Sequence, residues 1–283
     1  MKKVLIRDRN CRPGRMLFVL FILYKRSHAM FLRILICLFA VLPSIFWGAT
    51  PARAETELVV SAAASLTESF REIGRAFEAK NPGVRVRFNF AATGPLLQQI
   101  TQGAPVDVFA SADQESMDKA EKGKFLLTGS RSNFVANSLV LVVPVNPAST
   151  VKGVADLKAG TVQRIAIGNP ESVPVGRYTK GALEKQGLWD ALTPKYVMAI
   201  SVKQVLEYVQ RGEVEAGFVY ASDAVAAKDR VRVAAEIPTV TPIVYPVAVV
   251  AGSAHQQEAL AFVRFLREKE ARASFGKYGF KQP

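Results

Sequence analysis

The chain has 283 residues, 49% of them hydrophobic, and a formal charge of +13, but ten of its 37 Lys/Arg and only one of its 24 Asp/Glu precede Glu55. Residues 55–283 are therefore close to +4, which excludes the concentrated basic face that nucleic-acid binding requires. Both cysteines, Cys11 and Cys37, also precede Glu55, so residues 55–283 hold no disulfide, thiolate nucleophile or Cys metal site, and with His255 as the only later histidine a His-based triad or His-rich metal cluster has almost no material to work with.

Residues 1–54 read as an export leader. A charged stretch, an apolar run from Ile34 to Trp47 and the small-residue end Ala52-Arg53-Ala54 predict cleavage before Glu55. A second apolar run, Met16 to Tyr24, lies upstream; a signal usually has one such run, which makes Met30 an alternative start to Met1. Both runs are shorter than the roughly 20 apolar residues that span a bilayer, so a cleaved leader is predicted rather than an anchor. Ile36 precedes Cys37 where a lipoprotein signal wants a small residue. The expected product is soluble and periplasmic.

After the leader, short β-branched runs alternate with helical periods. Leu58–Ser61 is followed by Leu66, Phe70, Ile73 and Phe77 at spacings of three and four, then by Val84–Phe90, a short helix, and Val106–Ala110. This alternation predicts βαβ units. It resumes after Ser138–Val143, with strands at Arg164–Gly168, Tyr196–Ala199 and Ala216–Tyr220, each followed by a helix. The fold class predicted is α/β, with two doubly wound lobes joined by a two-strand hinge at Ser138–Val143 and Ile243–Val250. The boundaries expected are 55–137 plus 248–283 for lobe one and 138–247 for lobe two. The tail from Ser253 to Phe280 reads as helices, opening with a Ser253-x-x-Gln256 capping box.

Helix starts are the informative feature, because a helix N-terminus presents unpaired N–H groups and partial positive charge to an anion. Four follow strands directly: the capping box Ser65-Leu-Thr-Glu68, then Thr93-Gly94-Pro95, Pro174-Val175-Gly176 and a second capping box, Ser201-Val-Lys-Gln204. Ligands bind at such strand ends in open parallel sheets. Each Ser or Thr could serve only as an N-cap, yet a hydroxyl can accept from the helix and still donate its proton to a bound anion. Asp107, Asp113 and Asp223 read as structural, the last two as N-caps, and Arg177 reads as part of a solvated helix face.

Five segments in order carry a resemblance: Ser61-Ala-Ala-Ala-Ser65-Leu-Thr, Gly103-Ala-Pro-Val-Asp107-Val-Phe-Ala-Ser-Ala-Asp113-Gln, Gly168-Asn-Pro-Glu-Ser-Val-Pro-Val175-Gly-Arg-Tyr178, Val219-Tyr220-Ala-Ser-Asp223-Ala-Val and Tyr245-Pro-Val-Ala-Val-Val. Together they resemble the periplasmic molybdate-binding proteins of ABC importers, over about Leu58 to Phe280. The resemblance implies a type II periplasmic-binding-protein-like fold and a molybdate or tungstate ligand, with no cofactor. It also implies a monomer served by a membrane permease and its ATPase. In that family the oxyanion is held by hydroxyls and amides, without a cation or direct side-chain coordination of the metal. Carried over, the hydroxyls fall on Ser65 and Thr93, the amides on Val175 and Val202, and the phenol on Tyr220. This chain has Ala92-Thr93-Gly94-Pro95 where the family has a serine-rich stretch, so a hydroxyl survives without its neighbours. Binding of another tetrahedral oxyanion such as sulfate is the alternative. An enzyme on this fold lacks a base or nucleophile pair, and a regulator would carry a DNA-binding segment in place of an export leader.

Overall fold

A computed structural model describes residues 55–146 and 149–283; the leader readings, including the cleavage site and the alternative start, lie outside the described residues. Strand β1 (Thr56–Ala63) runs through a single 3-10 turn into α1 (Thr67–Lys80), followed by β2 (Val84–Ala91), α2 (Thr93–Thr101), β3 (Val108–Ala110) and α3 (Gln114–Lys122). β1 lies between β2 and β3 and is parallel to both. The threes and fours of Phe70, Ile73 and Phe77 bury one face of α1 against this sheet. The buried Phe70 and Phe77 rings meet Phe262 at 6.0 and 5.2 Å between centroids, and truncating either ring to Ala would cost about 3–5 kcal/mol.

The chain leaves this sheet through β4 (Ser132–Asn137) and enters a second one at β5 (Leu139–Pro144). There β6 (Ile165–Gly168), α4 (Pro174–Lys185), α5 (Trp189–Leu192), β7 (Tyr196–Ala199), α6 (Val202–Gln210), β8 (Ala216–Tyr220), α7 (Ala221–Ala226) and β9 (Val231–Ile237) follow. The strand order is β7-β6-β8-β5-β9, with β6 parallel to β7 and β8 and β5 antiparallel to β8 and β9. β5, β6 and β8 are buried at every residue, as strands covered on both faces by helices must be.

The return crossing differs from the sequence reading. β10 (Ile243–Val249) pairs antiparallel with β3 and β4, so the first sheet has the order β2-β1-β3-β10-β4. Residues 243–247 thus lie in the first sheet, although the sequence boundary put them in lobe two. β9 makes the last pairing of the second sheet, and its Arg232 and Glu236 hide it from a search for apolar runs. The tail packs on the first sheet as α8 (Gln256–Phe265) and α9 (Lys269–Lys277). No Ser253 capping box forms. Ser253 Oγ donates instead to Asp107 Oδ1 (2.6 Å), while Asp107 Oδ2 accepts from Val59 N (2.7 Å), which ties the tail to β1.

Candidate functional site

The C-terminal ends of the parallel strands of both sheets face one another. Between them lies a small cavity bounded by Ala63, Ala64 and Ser65 after β1, Ala92 and Thr93 after β2, and Ala112 after β3. The second sheet contributes Val173, Pro174 and Val175 at the start of α4, Val202 at the start of α6, and Tyr220 at the end of β8. All five residues singled out in the sequence thus border one space. No Asp, Glu, Lys, Arg or His lines it.

Each polar group reaches the cavity for a local reason. Ser65 lies inside the 3-10 turn Ala64–Leu66, and Leu66 takes the N-cap position of α1. The expected Ser65–Glu68 capping box is therefore absent, because a hydroxyl already inside a helical turn is directed away from the first amides of α1. Ser65 Oγ sits 2.9 Å from the Tyr245 hydroxyl instead. Thr93 is the first residue of α2, and its Oγ1 accepts from Ala112 N (3.2 Å). An oxygen that accepts from an amide keeps its own proton for another partner.

The amide donors come from two helix starts. Pro174 occupies the first turn of α4 after the extended Val173, where its fixed φ suits a helix start and its missing N–H costs nothing. Val175 follows, and its N–H has no helical carbonyl four residues back. Gly176 is required here, since a Cβ would stand 2.1 Å from the Gly168 carbonyl oxygen; the close approach seats the helix on β6. Ser201 caps α6 by accepting from Gln204 N (3.2 Å), while Gln204 Oε1 accepts from Ile200 N (2.8 Å). Val202 is then the first helical residue, with a free N–H.

Tyr220 is 1% exposed, and its hydroxyl is buried without a hydrogen-bond partner. Burial holds its pKa well above the usual phenol value, so it remains a donor at neutral pH. An unpaired buried hydroxyl costs about 1–3 kcal/mol, which a ligand acceptor in the cavity would relieve.

Two charged groups depart from the sequence reading. Arg177 does not form a solvated face: from α4 it crosses the cleft, and its Nε and Nη2 donate to Asp113 Oδ2, Nε at 3.0 Å. Asp113 still caps α3, accepting from Ser116 N at 3.0 Å. Asp223 is the third residue of α7 and not its N-cap, a position taken by Tyr220. It is fully buried, with Lys203 Nζ 3.3 Å from Oδ1. A backbone bond also joins the lobes, from Gly94 N to Ser172 O (3.1 Å). An open hollow of about 460 Å³ borders the cleft beside Asp113, Glu115 and Arg177, but its cation is already paired and its carboxylates would repel an anion. Among the described residues no group of three His, Cys, Asp or Glu is placed to hold a metal ion.

The sequence profile of the bacterial extracellular solute-binding proteins matches residues 58–281. The chain belongs to that family. It is 42% identical to the molybdate-binding protein ModA of Escherichia coli over 234 residues, which span 80% of this chain and 89% of that protein. It is 38% identical, over 82% of this chain and 89% of the relative, to a Bacillus subtilis protein named as an ABC transporter substrate-binding lipoprotein. Among solved structures, the periplasmic molybdate-binding protein of Azotobacter vinelandii superposes with a TM-score of 0.69 at 27% identity, covering 80% of this chain and 99% of that one. Members of this family bind and present solutes and are not enzymes, and the two-lobed α/β architecture is shared with them.

Proposed function

We propose that this protein captures molybdate or tungstate between its two lobes and delivers it to the membrane permease of an ABC importer driven by a partner ATPase. On this reading the oxyanion accepts from the hydroxyls of Ser65 and Thr93, the amides of Val175 and Val202, and the phenol of Tyr220. The observation that carries it is the buried, unpartnered Tyr220 hydroxyl on a cavity bordered by hydroxyls and helix starts and free of charged side chains. The 42% identity to a molybdate-binding protein supports the choice of ion.

The chemistry accounts for selection. A fully deprotonated tetrahedral dianion offers only acceptors, whereas monohydrogen phosphate brings a proton that needs one. Donors alone satisfy the first and reject the second. Several charge-assisted bonds at about 1.5–3 kcal/mol each offset the desolvation of the dianion. Because the donors divide between the lobes, only the closed arrangement assembles them, and the ligand favours that arrangement. Discrimination from sulfate, equal in charge and shape, falls to the size of the cavity. We take the working form to be a periplasmic monomer released from its leader.

Isothermal titration of the purified protein with molybdate, tungstate, sulfate and phosphate tests the proposal. Tight binding of the first two is expected, and Tyr220→Phe should weaken it about 10-fold or more. Absence of heat with all four ions would overturn the reading, and preferential sulfate binding would replace the ligand.

A further inference from the structure

Behind the cavity wall, three buried polar side chains from different elements form a hydrogen-bonded chain. Asn137, the last residue of β4, accepts at Oδ1 from the backbone N–H of Ser138 (2.9 Å) and of Ser222 (3.4 Å). Backbone amides can only donate, so the Asn137 amide cannot be turned over, and its Nδ2 is the end that faces Ser222 Oγ (2.8 Å) and the Tyr245 hydroxyl (3.4 Å). The Tyr245 oxygen receives that donor, and of its two polar partners only Ser65 Oγ, at 2.9 Å, can then accept the one proton Tyr245 has to give. Ser65 in turn keeps its proton for the cavity it borders. Tyr245 is fully buried and does not line the cavity. A register shift between Tyr245 and Pro246 breaks the pairing of β10 with β4 beside it, as a residue without an N–H requires.

We infer that Asn137 and Tyr245 are positioning residues that set the Ser65 hydroxyl as a hydrogen-bond donor, and so help the site prefer fully deprotonated oxyanions over protonated ones. The inference rests on the oxyanion reading above. Without the phenol, Ser65 is free to rotate and can accept from a protonated ligand as readily as it donates. Tyr245 loses none of its aromatic packing in Tyr245→Phe, since the ring contacts to Phe134, Tyr220 and Phe280 involve carbon faces and edges.

The test is a double-mutant cycle of Ser65→Ala and Tyr245→Phe, read by titration with molybdate. Tyr245→Phe alone should weaken binding about 3- to 10-fold. In the Ser65→Ala background the same change should cost less than about 2-fold, because a residue acting through Ser65 has nothing left to orient. A structural role for Tyr245 would instead lower affinity equally in both backgrounds. Equal losses, or no loss in the single variant, overturn the inference while leaving the oxyanion reading intact. Failure of the parent protein to bind any of the four ions removes that reading itself.

Discussion

Arg177 and Asp113 join the two lobes across the cleft, the guanidinium on α4 donating through two nitrogens to one carboxylate oxygen of the residue that caps α3. Asp113 is 4% exposed, and Arg177 also reaches Pro170 O and Ser116 Oγ. The pair exists only while the lobes are together. Its removal should lower the closed population, and apparent affinity falls in proportion to that population. Arg177→Gln is expected to weaken molybdate binding about 5- to 30-fold while the circular dichroism spectrum is retained. Affinity equal to the parent would show that the pair contributes nothing to closure.

Gly94 tests closure by sterics. A Cβ on Gly94 would lie 2.5 Å from the Ser172 carbonyl oxygen of the opposite lobe. Gly94→Ala should therefore weaken ligand binding at least about 10-fold, while the circular dichroism spectrum of the ligand-free protein is retained. Small-angle scattering with saturating ligand should report a wider particle than the parent. A variant that closes to the parent dimensions and binds equally would exclude this contact as a limit on closure.

What the sequence disclosed follows from the range of the interactions concerned. Periodicity placed Tyr196–Ala199 and Ala216–Tyr220 with their observed ends, because these strands are apolar and bounded by turns. Helix starts and the resemblance brought Ser65, Thr93, Val175, Val202 and Tyr220 to one cavity. The same reading misjudged Ser65 as a cap, since a one-turn 3-10 extension leaves no mark in composition. It also overlooked Ser132–Asn137 and Val231–Ile237, whose polar residues mask their strand character. Long-range polar contacts were beyond it altogether. Asn137 and Ser222 are 85 positions apart, Ser65 and Tyr245 180 apart, and nothing in local spacing connects them; the only signal was that Tyr245 opens one of the five resembling segments.

Asp223 carries a pH dependence of known sign. Burial raises its carboxyl pKa above the ordinary 3.8, against the lowering effect of Lys203. As pH rises from about 3.8 toward the raised native value, the unfolded chain has released a proton that the native state retains, so the contribution of Asp223 to stability falls across that window. Asp223→Asn removes this dependence. Its unfolding free energy relative to the parent should therefore increase as pH rises through the window, a trend that urea titrations at pH 4, 5, 6 and 7 would read. A constant difference between the two proteins would show that the carboxyl does not titrate abnormally.

The amide of Val202 can be tested by proline, which deletes an N–H that other substitutions leave in place. Val202 is the first helical residue of α6, and Ser201 before it is extended, with φ −160° and ψ 162°. Proline fits the first helical position, and the residue before proline must avoid the helical region, as Ser201 already does. The Ser201 cap to Gln204 N is untouched by the change. Val202→Pro should keep α6 and lose one donor to the anion, which at about 1.5–3 kcal/mol corresponds to a loss of affinity of about 10-fold or more. Val202→Ala keeps the N–H and shortens a side chain that is 4% exposed, so it controls for packing and should bind nearly as the parent does. If the proline variant is folded and binds molybdate as tightly as the alanine variant, the Val202 amide is not a ligand, and the anion is held by the remaining donors alone.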